Sequence, residues 1–471
     1  MATMVKEVKD SSLRLLPSMD KLLSNEQITE LIARHSLVEV KRSLDGVLDE
    51  LRGVLISSKA VAVSRDELER EVVAKVQTRI KEVTSSSLLP VINATGVILH
   101  TNLGRSLLAD EAVEAILKVA QNYTTLEYDL KAGKRGSRYS HCEGVICDLT
   151  GGEAALVVNN NAAALTLALN TFSQGREAIV SRGELVEIGG SFRIPEVMAK
   201  SACIMREIGA TNKTHLKDYE NAINENTGML VKVHRSNFKL TGFVADVSLE
   251  ELVRLGEKHF LPVLNDLGSG LLIDLQKFGL PYEPLIQQSV KAGVTLTTCS
   301  GDKLFGGPQA GIIIGSKSAI AKIKANSLTR AFRVDKLTLA ALEATLKLYY
   351  DEEKALQSIP TLRMISTRVE ELEKRAQNIV ADLPEEVKKQ VEIVRGKSEI
   401  GGGSYPGSFL DSVLISITPH KISVIELEEQ CRLGSLPLIG RIHKDKFLLD
   451  VRCIRPVEDK TIVVILSKRL I

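Results

Sequence analysis

The chain has 471 residues, 44% of them hydrophobic and 25% charged, with 61 Lys and Arg against 59 Asp and Glu for a formal net charge of +2. That length exceeds one small core and predicts two or three domains, while the balanced charge excludes a globally basic nucleic-acid binder. Six scattered cysteines (142, 147, 203, 299, 431, 453) without a CxxC pair exclude a disulfide framework or zinc ribbon, and no apolar run reaches the ~18 residues of a membrane helix, so a cytoplasmic protein is expected.

In chain order, residues 1–85 read as helices. Asn25 to His35, Leu37 to Leu55 and Ser64 to Val83 carry apolar residues at three-and-four spacing, and Ser64 followed by Glu67 is a capping box. This segment holds 14 basic and 14 acidic residues, so it is not a basic tail; Arg34, Lys41, Arg42 and Arg52 are its suggestive cations. Ser85 to Pro90 reads as a linker. From Val91 to about Arg330, short β-branched runs (Ala155 to Val158, Glu177 to Ser181, Gly228 to His234, Pro262 to Asn265, Gly293 to Leu296, Gly311 to Ile314) alternate with helical stretches (Ala162 to Phe172, Ile194 to Ala202, Leu249 to His259). The alternation predicts an open α/β sheet with helices on both faces. Asp335 to Ile379 reads as helical. Beyond Leu383, strands at Val391 to Val394, Ser412 to Ile417, Phe447 to Val451 and Thr461 to Leu466 around a helix at Ile422 to Cys431 predict a smaller α+β domain. The expected domains are therefore 1–85, 86–334 and 335–471.

One stretch organises the chemistry. Thr298 to Gly311 carries a single lysine, Lys303, followed by small residues that let backbone approach closely. An amine in such a place serves to form a Schiff base with a carbonyl substrate or with pyridoxal phosphate. That cofactor needs an anion for its ring nitrogen, and Asp266 supplies one at a strand's carboxyl end, 303 − 266 = 37 residues before the lysine. It needs a phosphate cradle, and Asn160, Asn161 and Ala162 stand where a strand runs into an Ala-rich helix whose free N–H groups favour an anion. Ser300 adds a hydroxyl. No ring-stacking residue emerges from Ser181 to Gly190, which has no aromatic; Glu184, Glu187 and His234 read better as structural. Lys131, Lys134, Arg135 and Arg138 share one Gly-rich loop, and Arg105, Arg330 and Arg333 are further candidates for binding oxyanions.

These stretches, with Val91 to Arg105, Asn265 to Gly270, Ser300 to Gly311, Leu16 to Leu22 and Pro437 to Arg441 added, resemble the bacterial L-seryl-tRNA(Sec) selenium transferase (selenocysteine synthase) family over nearly the whole chain. The resemblance implies a fold type I PLP-dependent transferase: an α/β large domain, a small α+β C-terminal domain and a helical N-terminal domain that recognises tRNA. It implies pyridoxal 5'-phosphate on Lys303, with Arg105, Arg330 and Arg333 holding the anionic selenium donor. It also implies rings, typically homodecamers built from dimers, with Arg138 reaching a neighbouring subunit's cofactor phosphate. Asn265 departs from relatives that carry an acidic residue there, while Asp266 is intact.

The implied reaction converts seryl-tRNA(Sec) to selenocysteinyl-tRNA(Sec) by β-elimination of the seryl hydroxyl and addition of selenium from selenophosphate. Lys303 would move the Cα proton, and Asp302 or a water would protonate the departing hydroxide. Two other readings fit the same lysine: a PLP-dependent lyase on a free amino acid or sugar acid, and a non-catalytic tRNA-binding relative.

Overall fold

A computed structural model describes residues 15–57, 64–188 and 192–471 of the chain. The two glycines and the serine at 189–191, which fall in and beside the stretch searched for a ring partner, lie outside the described residues, as do residues 1–14. The chain divides after Pro90 into two compact units.

The first unit is helical. α1 (Glu26–Arg34), α2 (Leu37–Ser57) and α3 (Arg65–Thr84) match the expected spans to within two residues. Asn25 caps α1, its side chain accepting from the Gln27 N–H at 3.0 Å. Ser64 and Glu67 form the expected capping box on α3, a device that stabilises a helix by about 1 kcal/mol. The three-and-four spacing puts Leu44, Val47, Leu48 and Leu51 of α2 against Val72, Val76 and Ile80 of α3, with Ile28 of α1 in the same cluster. Each such side chain contributes roughly 1.5–3 kcal/mol by leaving water.

The second unit is built on a seven-stranded sheet. Its strands are β1 (Ala154–Val158), β2 (Glu177–Ser181), β3 (Ile204–Ile208), β4 (Thr227–Val233), β5 (Val263–Gly268), β6 (Leu296–Ser300) and β7 (Gly311–Gly315), in spatial order β1-β7-β6-β5-β4-β2-β3. All pairings are parallel except those of β7, which runs antiparallel to both β6 and β1. β1, β5 and β6 are buried along their whole length, β5 and β6 despite the polar residues they carry. Alternate residues sort by face. Ala178, Val180, Val231 and Leu264 pack on α4 (Asn161–Ser173), while Ile179, Leu230 and Val263 pack on α5 (Leu249–His259).

Beyond the helical stretch that includes α6 (Lys336–Leu348) and α7 (Val369–Ala381), a long hairpin of β8 (Val391–Gly401) and β9 (Ser404–Ile417) pairs with β10 (Lys446–Asp450). The short strand Val97–Leu99 joins the same small sheet beside β8, and Ile92–Asn93 pairs with Leu438–Ile439. Chain close to the start of this unit is thus part of its C-terminal sheet.

Two expectations are corrected. Thr461 to Leu466, read as a strand from its β-branched residues, lies within α8 (Asp459–Leu470). Ile462, Leu466 and Leu470 fall on one helical face and pack with Leu372 and Ala376 of α7, so burial at helical spacing overrides β propensity. The strand before Lys303, read as Gly293 to Leu296, begins where that span ends. Thr297 and Thr298, which lie beyond that span, are fully buried in β6, their hydroxyls hydrogen-bonded.

The sheet and α4 meet at one point of close approach. A Cβ on Gly311, in β7, would lie 2.1 Å from the Asn160 carbonyl oxygen. We therefore expect Gly311→Ala to destabilise the protein by about 1–3 kcal/mol. Gly144→Ala, in an open position of the helix Ser140–Thr150, should instead stabilise it by about 1 kcal/mol. Urea-unfolding midpoints of the two variants check both signs.

Candidate active site

The carboxyl ends of β5 and β6 carry the chemistry. Asp266 lies directly opposite Thr298 in the parallel ladder, and the Thr298 hydroxyl donates to its carboxylate at 2.9 Å. A second donor comes from Asn161, the first residue of α4, whose Nδ2 reaches the same carboxylate oxygen at 2.8 Å. Between Asp266 and Gly268 the register slips, and Gly268 takes a left-handed φ of +67°. Such a bulge re-aims the side chains around it. Asp266 is buried, and burial pushes its carboxyl above the usual range against the opposing pull of Asn161, Thr298 and the Lys303 charge.

Lys303 follows β6 in a loop that folds back on itself. The Gly301 N–H donates to the Ala310 carbonyl and the Gly307 N–H to the Gly301 carbonyl, each at 2.8 Å. The Tyr349 hydroxyl donates to the Phe305 carbonyl at 2.6 Å. A Cβ on Gly306 (φ +74°) would lie 2.2 Å from Ile359, so this loop requires its glycine. Lys303 is only 4% exposed, and among the described residues its amine makes no hydrogen bond or ion pair. Burial lowers its proton affinity, the Arg105 charge adds to that, and Asp266, Asp302 and Glu283 oppose it.

The bare Cα of Gly268 makes room beside the amine. An ideal Cβ there would sit 3.9 Å from Lys303 Nζ and 3.5 Å from Ser236 Oγ. Ser236 Oγ, Ser269 Oγ and Asn161 Oδ1 are all buried without a hydrogen-bond partner. Orphaned polar atoms gathered around an unpaired buried amine fit a site built for a polar ligand.

The start of α4 completes the cradle. Asn160 caps the helix, its Oδ1 accepting from the Ala163 N–H at 2.8 Å. The N–H groups of Asn161 and Ala162, first in the helix, have no intrahelical acceptor. Ser300, the last residue of β6, pairs with Gly311, which pairs in turn with Val158 just before the helix. Arg333 bridges Val158 through its backbone, and the Asn159 N–H donates to the Phe332 carbonyl at 2.9 Å. Arg330 and Arg333 are exposed.

Other expected residues are already engaged. Arg105 (φ +62°), after Gly104 (φ +93°), donates through Nη1 to Asp302 Oδ2 at 2.9 Å, so Asp302 positions Arg105. Arg138 spends its donors on Glu127 and the Val334 carbonyl, at 2.5–2.8 Å. Glu184 accepts from Lys232 and the Val233 N–H, Glu187 pairs with Arg193, and His234 Nε2 meets Glu283 at 3.0 Å. Thr298, Ser236 and Ser269 were missed by sequence reasoning. Hydroxyl residues are common, and only strand register singles out the one beside Asp266.

A sequence profile described as L-seryl-tRNA selenium transferase matches residues 91–455, and one described as selenocysteine synthase N terminal matches residues 13–52. The chain belongs to the L-seryl-tRNA selenium transferase family. It is 52% identical over 445 residues to the L-seryl-tRNA(Sec) selenium transferase of Clostridium botulinum (strain Okra / Type B1), covering 94% of this chain and 96% of that one. It is 48% identical over 461 residues to the enzyme of that name from Carboxydothermus hydrogenoformans, covering 98% of each. Among solved structures, D-glucosaminate-6-phosphate ammonia-lyase superposes with a TM-score of 0.57 at 20% identity, over 83% of this chain and 98% of that one. This likeness shows the fold alone. In this selenium transferase family member, no described helix is long and apolar enough to cross a membrane.

The buried amine yields a pH prediction. Its native proton affinity lies below the ordinary lysine value of 10.5, so the unfolded chain binds more protons between the native and unfolded values. The stability contributed by this group is full above 10.5 and is lost as pH falls through the native value. In the cofactor-free protein, Lys303→Met should flatten the rise of the urea midpoint as pH approaches 10.5 from below.

Proposed function

We propose that this chain converts seryl-tRNA(Sec) to selenocysteinyl-tRNA(Sec), holding pyridoxal 5'-phosphate at Lys303 and taking selenium from a phosphorylated donor. Family membership supports the reaction. The observation that carries the site assignment is the partnerless buried amine of Lys303 beside Gly268, two residues from the doubly hydrogen-bonded carboxylate of Asp266. When bound, the cofactor supplies an electron sink that makes the seryl α-proton acidic and the β-hydroxyl able to leave.

The residues then divide the labour. Lys303, its proton affinity lowered by burial, anchors the cofactor aldehyde and afterwards carries the α-proton. Asp266 would face the ring nitrogen of the bound cofactor and favour its protonated form, with Thr298 and Asn161 holding the carboxylate in place. The free N–H groups of Asn161 and Ala162, with the Ser300 hydroxyl, receive the cofactor phosphate. Arg330 and Arg333, exposed near that helix start, hold the donor's phosphate, and Arg105 is aimed by Asp302 toward the same anion.

The helical unit before residue 91 reads the RNA. Its match to the selenocysteine synthase N-terminal profile supports that role, and the exposed cations Lys41 and Arg42 on α2 offer phosphate contacts. The second unit exposes Leu117 and Tyr123 together with Tyr128 and Leu130, a surface suited to contact with further copies of the chain in a ring.

Turnover of seryl-tRNA(Sec) with selenophosphate, against seryl-tRNA(Ser) as control, tests the reaction. Lys303→Ala should abolish both turnover and the visible absorbance of the bound cofactor; retention of either sinks the assignment. Arg333→Ala should raise KM for selenophosphate about tenfold or more with kcat less affected. A chain starting at Val91 should keep the cofactor absorbance but lose the gel shift with tRNA(Sec).

A further inference from the structure

A second cavity, of about 690 Å³, opens at the carboxyl ends of β4 and β5 and has no part in the roles assigned above. Asn265 and Leu267, the chain neighbours of Asp266, line it. So does His234, whose backbone N–H donates to the Asp266 carbonyl at 2.8 Å. The charges in its walls are largely neutralised in pairs: Lys232 with Glu184 at 3.0 Å, His234 with Glu283 at 3.0 Å, and Arg235 Nη1 with Asp246 at 2.9 Å. Tyr282, Tyr405 and Phe238 supply aromatic surface. Such a space exceeds what a serine fills and offers little excess charge to a phosphate. Its chemistry suits a neutral heteroaromatic group carrying hydroxyls.

Tyr405 carries two separate costs in this wall. Its φ of +53° is a left-handed conformation that bulky residues rarely adopt. The tip of the β8–β9 hairpin imposes it: a Cβ on Gly401 would lie 2.3 Å from Val97, and one on Gly402 2.8 Å from Leu99 Cβ. Clamped against that strand, the hairpin packs the tyrosine ring among Ile98, Leu99 and Leu275. The residue is 3% exposed, and its hydroxyl has no hydrogen-bond partner. An unpaired buried hydroxyl and a left-handed backbone each cost stability that the surrounding packing must offset. Strain and an unmet donor at one cavity-lining side chain are the marks of a binding residue. The charge of Glu283, in the same wall, acts on both Tyr405 and Lys303, so cavity and lysine share one neighbourhood.

We infer that this cavity receives the 3'-terminal nucleoside of the aminoacylated RNA, with the Tyr405 phenol hydrogen-bonding the ribose and the aromatic walls packing on the base. The inference deepens the proposed function and rests on it: the aminoacyl group, still esterified to the ribose, extends toward Lys303 while the nucleoside stays in the cavity.

The test titrates holoenzyme, wild type and Tyr405→Phe, with 3'-deoxy-3'-(L-serylamino)adenosine, a stable mimic of the charged end, by calorimetry. L-Serinamide, which lacks the nucleoside, is titrated in parallel. Tyr405→Phe should bind the adenosine mimic about tenfold more weakly and serinamide equally well. Its melting temperature should not fall, because the deleted hydroxyl had no partner to lose. With seryl-tRNA(Sec), KM should rise with kcat preserved. Equal affinity of both proteins for the mimic, no binding by either, an equal loss with serinamide, or a lowered melting temperature each overturns the assignment. Wild-type turnover of seryl-tRNA(Sec) separates the two levels. Its absence defeats the proposed function and this inference together, whereas turnover with an unchanged Tyr405→Phe affinity defeats only the cavity.

Discussion

A carboxylate and an amine buried side by side at the ends of two parallel strands set the terms for the rest of the second unit. Isolated charges of this kind are expensive to remove from water, and each needs compensation. Asp266 receives it from Thr298 on the neighbouring strand and from Asn161 at the start of α4. The second of these contacts ties the carboxylate to the helix whose free N–H groups form the anion cradle. Carboxylate and helix start are therefore held in a fixed relation by one asparagine. Lys303 receives no such hydrogen bond, and its amine stays available for an aldehyde.

That arrangement demands close backbone approach in several places, and glycines mark them. Gly311 lets β7 slide under the α4 cap, and Gly306 lets the lysine loop turn against Ile359. Gly268 leaves the space in which the amine and the Ser236 hydroxyl face one another. Where a side chain is needed instead, the backbone is left strained: Arg105 and Tyr405 both adopt left-handed conformations. Each is held by anchored chain on either side, Arg105 through Asp302 and Tyr405 through the hairpin packed on Val97–Leu99. Strain of this type persists only where surrounding structure enforces it.

The helical first unit follows a different logic. Its helices are short of polar chemistry in their core and rely on capped termini and an apolar seam. Its acidic and basic residues balance, so an anion meeting this unit would be held by locally exposed cations rather than by net charge.

Much of this was legible in the residues themselves, because it is local. Helix spacing and the Ser64–Glu67 box defined the first unit, strand–helix alternation defined the α/β class, and a strand running into three asparagines marked an anion site. Lys303 and Asp266 stood out because a lone lysine among glycines and an aspartate at a strand end are unusual in their immediate context. What depended on distant chain was hidden. The run Thr461 to Leu466 became helix because α7 offered it a buried face, and Thr297 and Thr298 became core because hydroxyl partners arrived from other elements. The commitment of Arg138 to Glu127 and Val334, the pairing of Arg105 with Asp302, and the confinement of Tyr405 all join residues that sequence separation keeps apart. The sequence by itself determined which groups could do the chemistry. Only the tertiary structure decided which of them were left free to do it, because a hydrogen bond to a remote partner uses up a donor that no local pattern reveals.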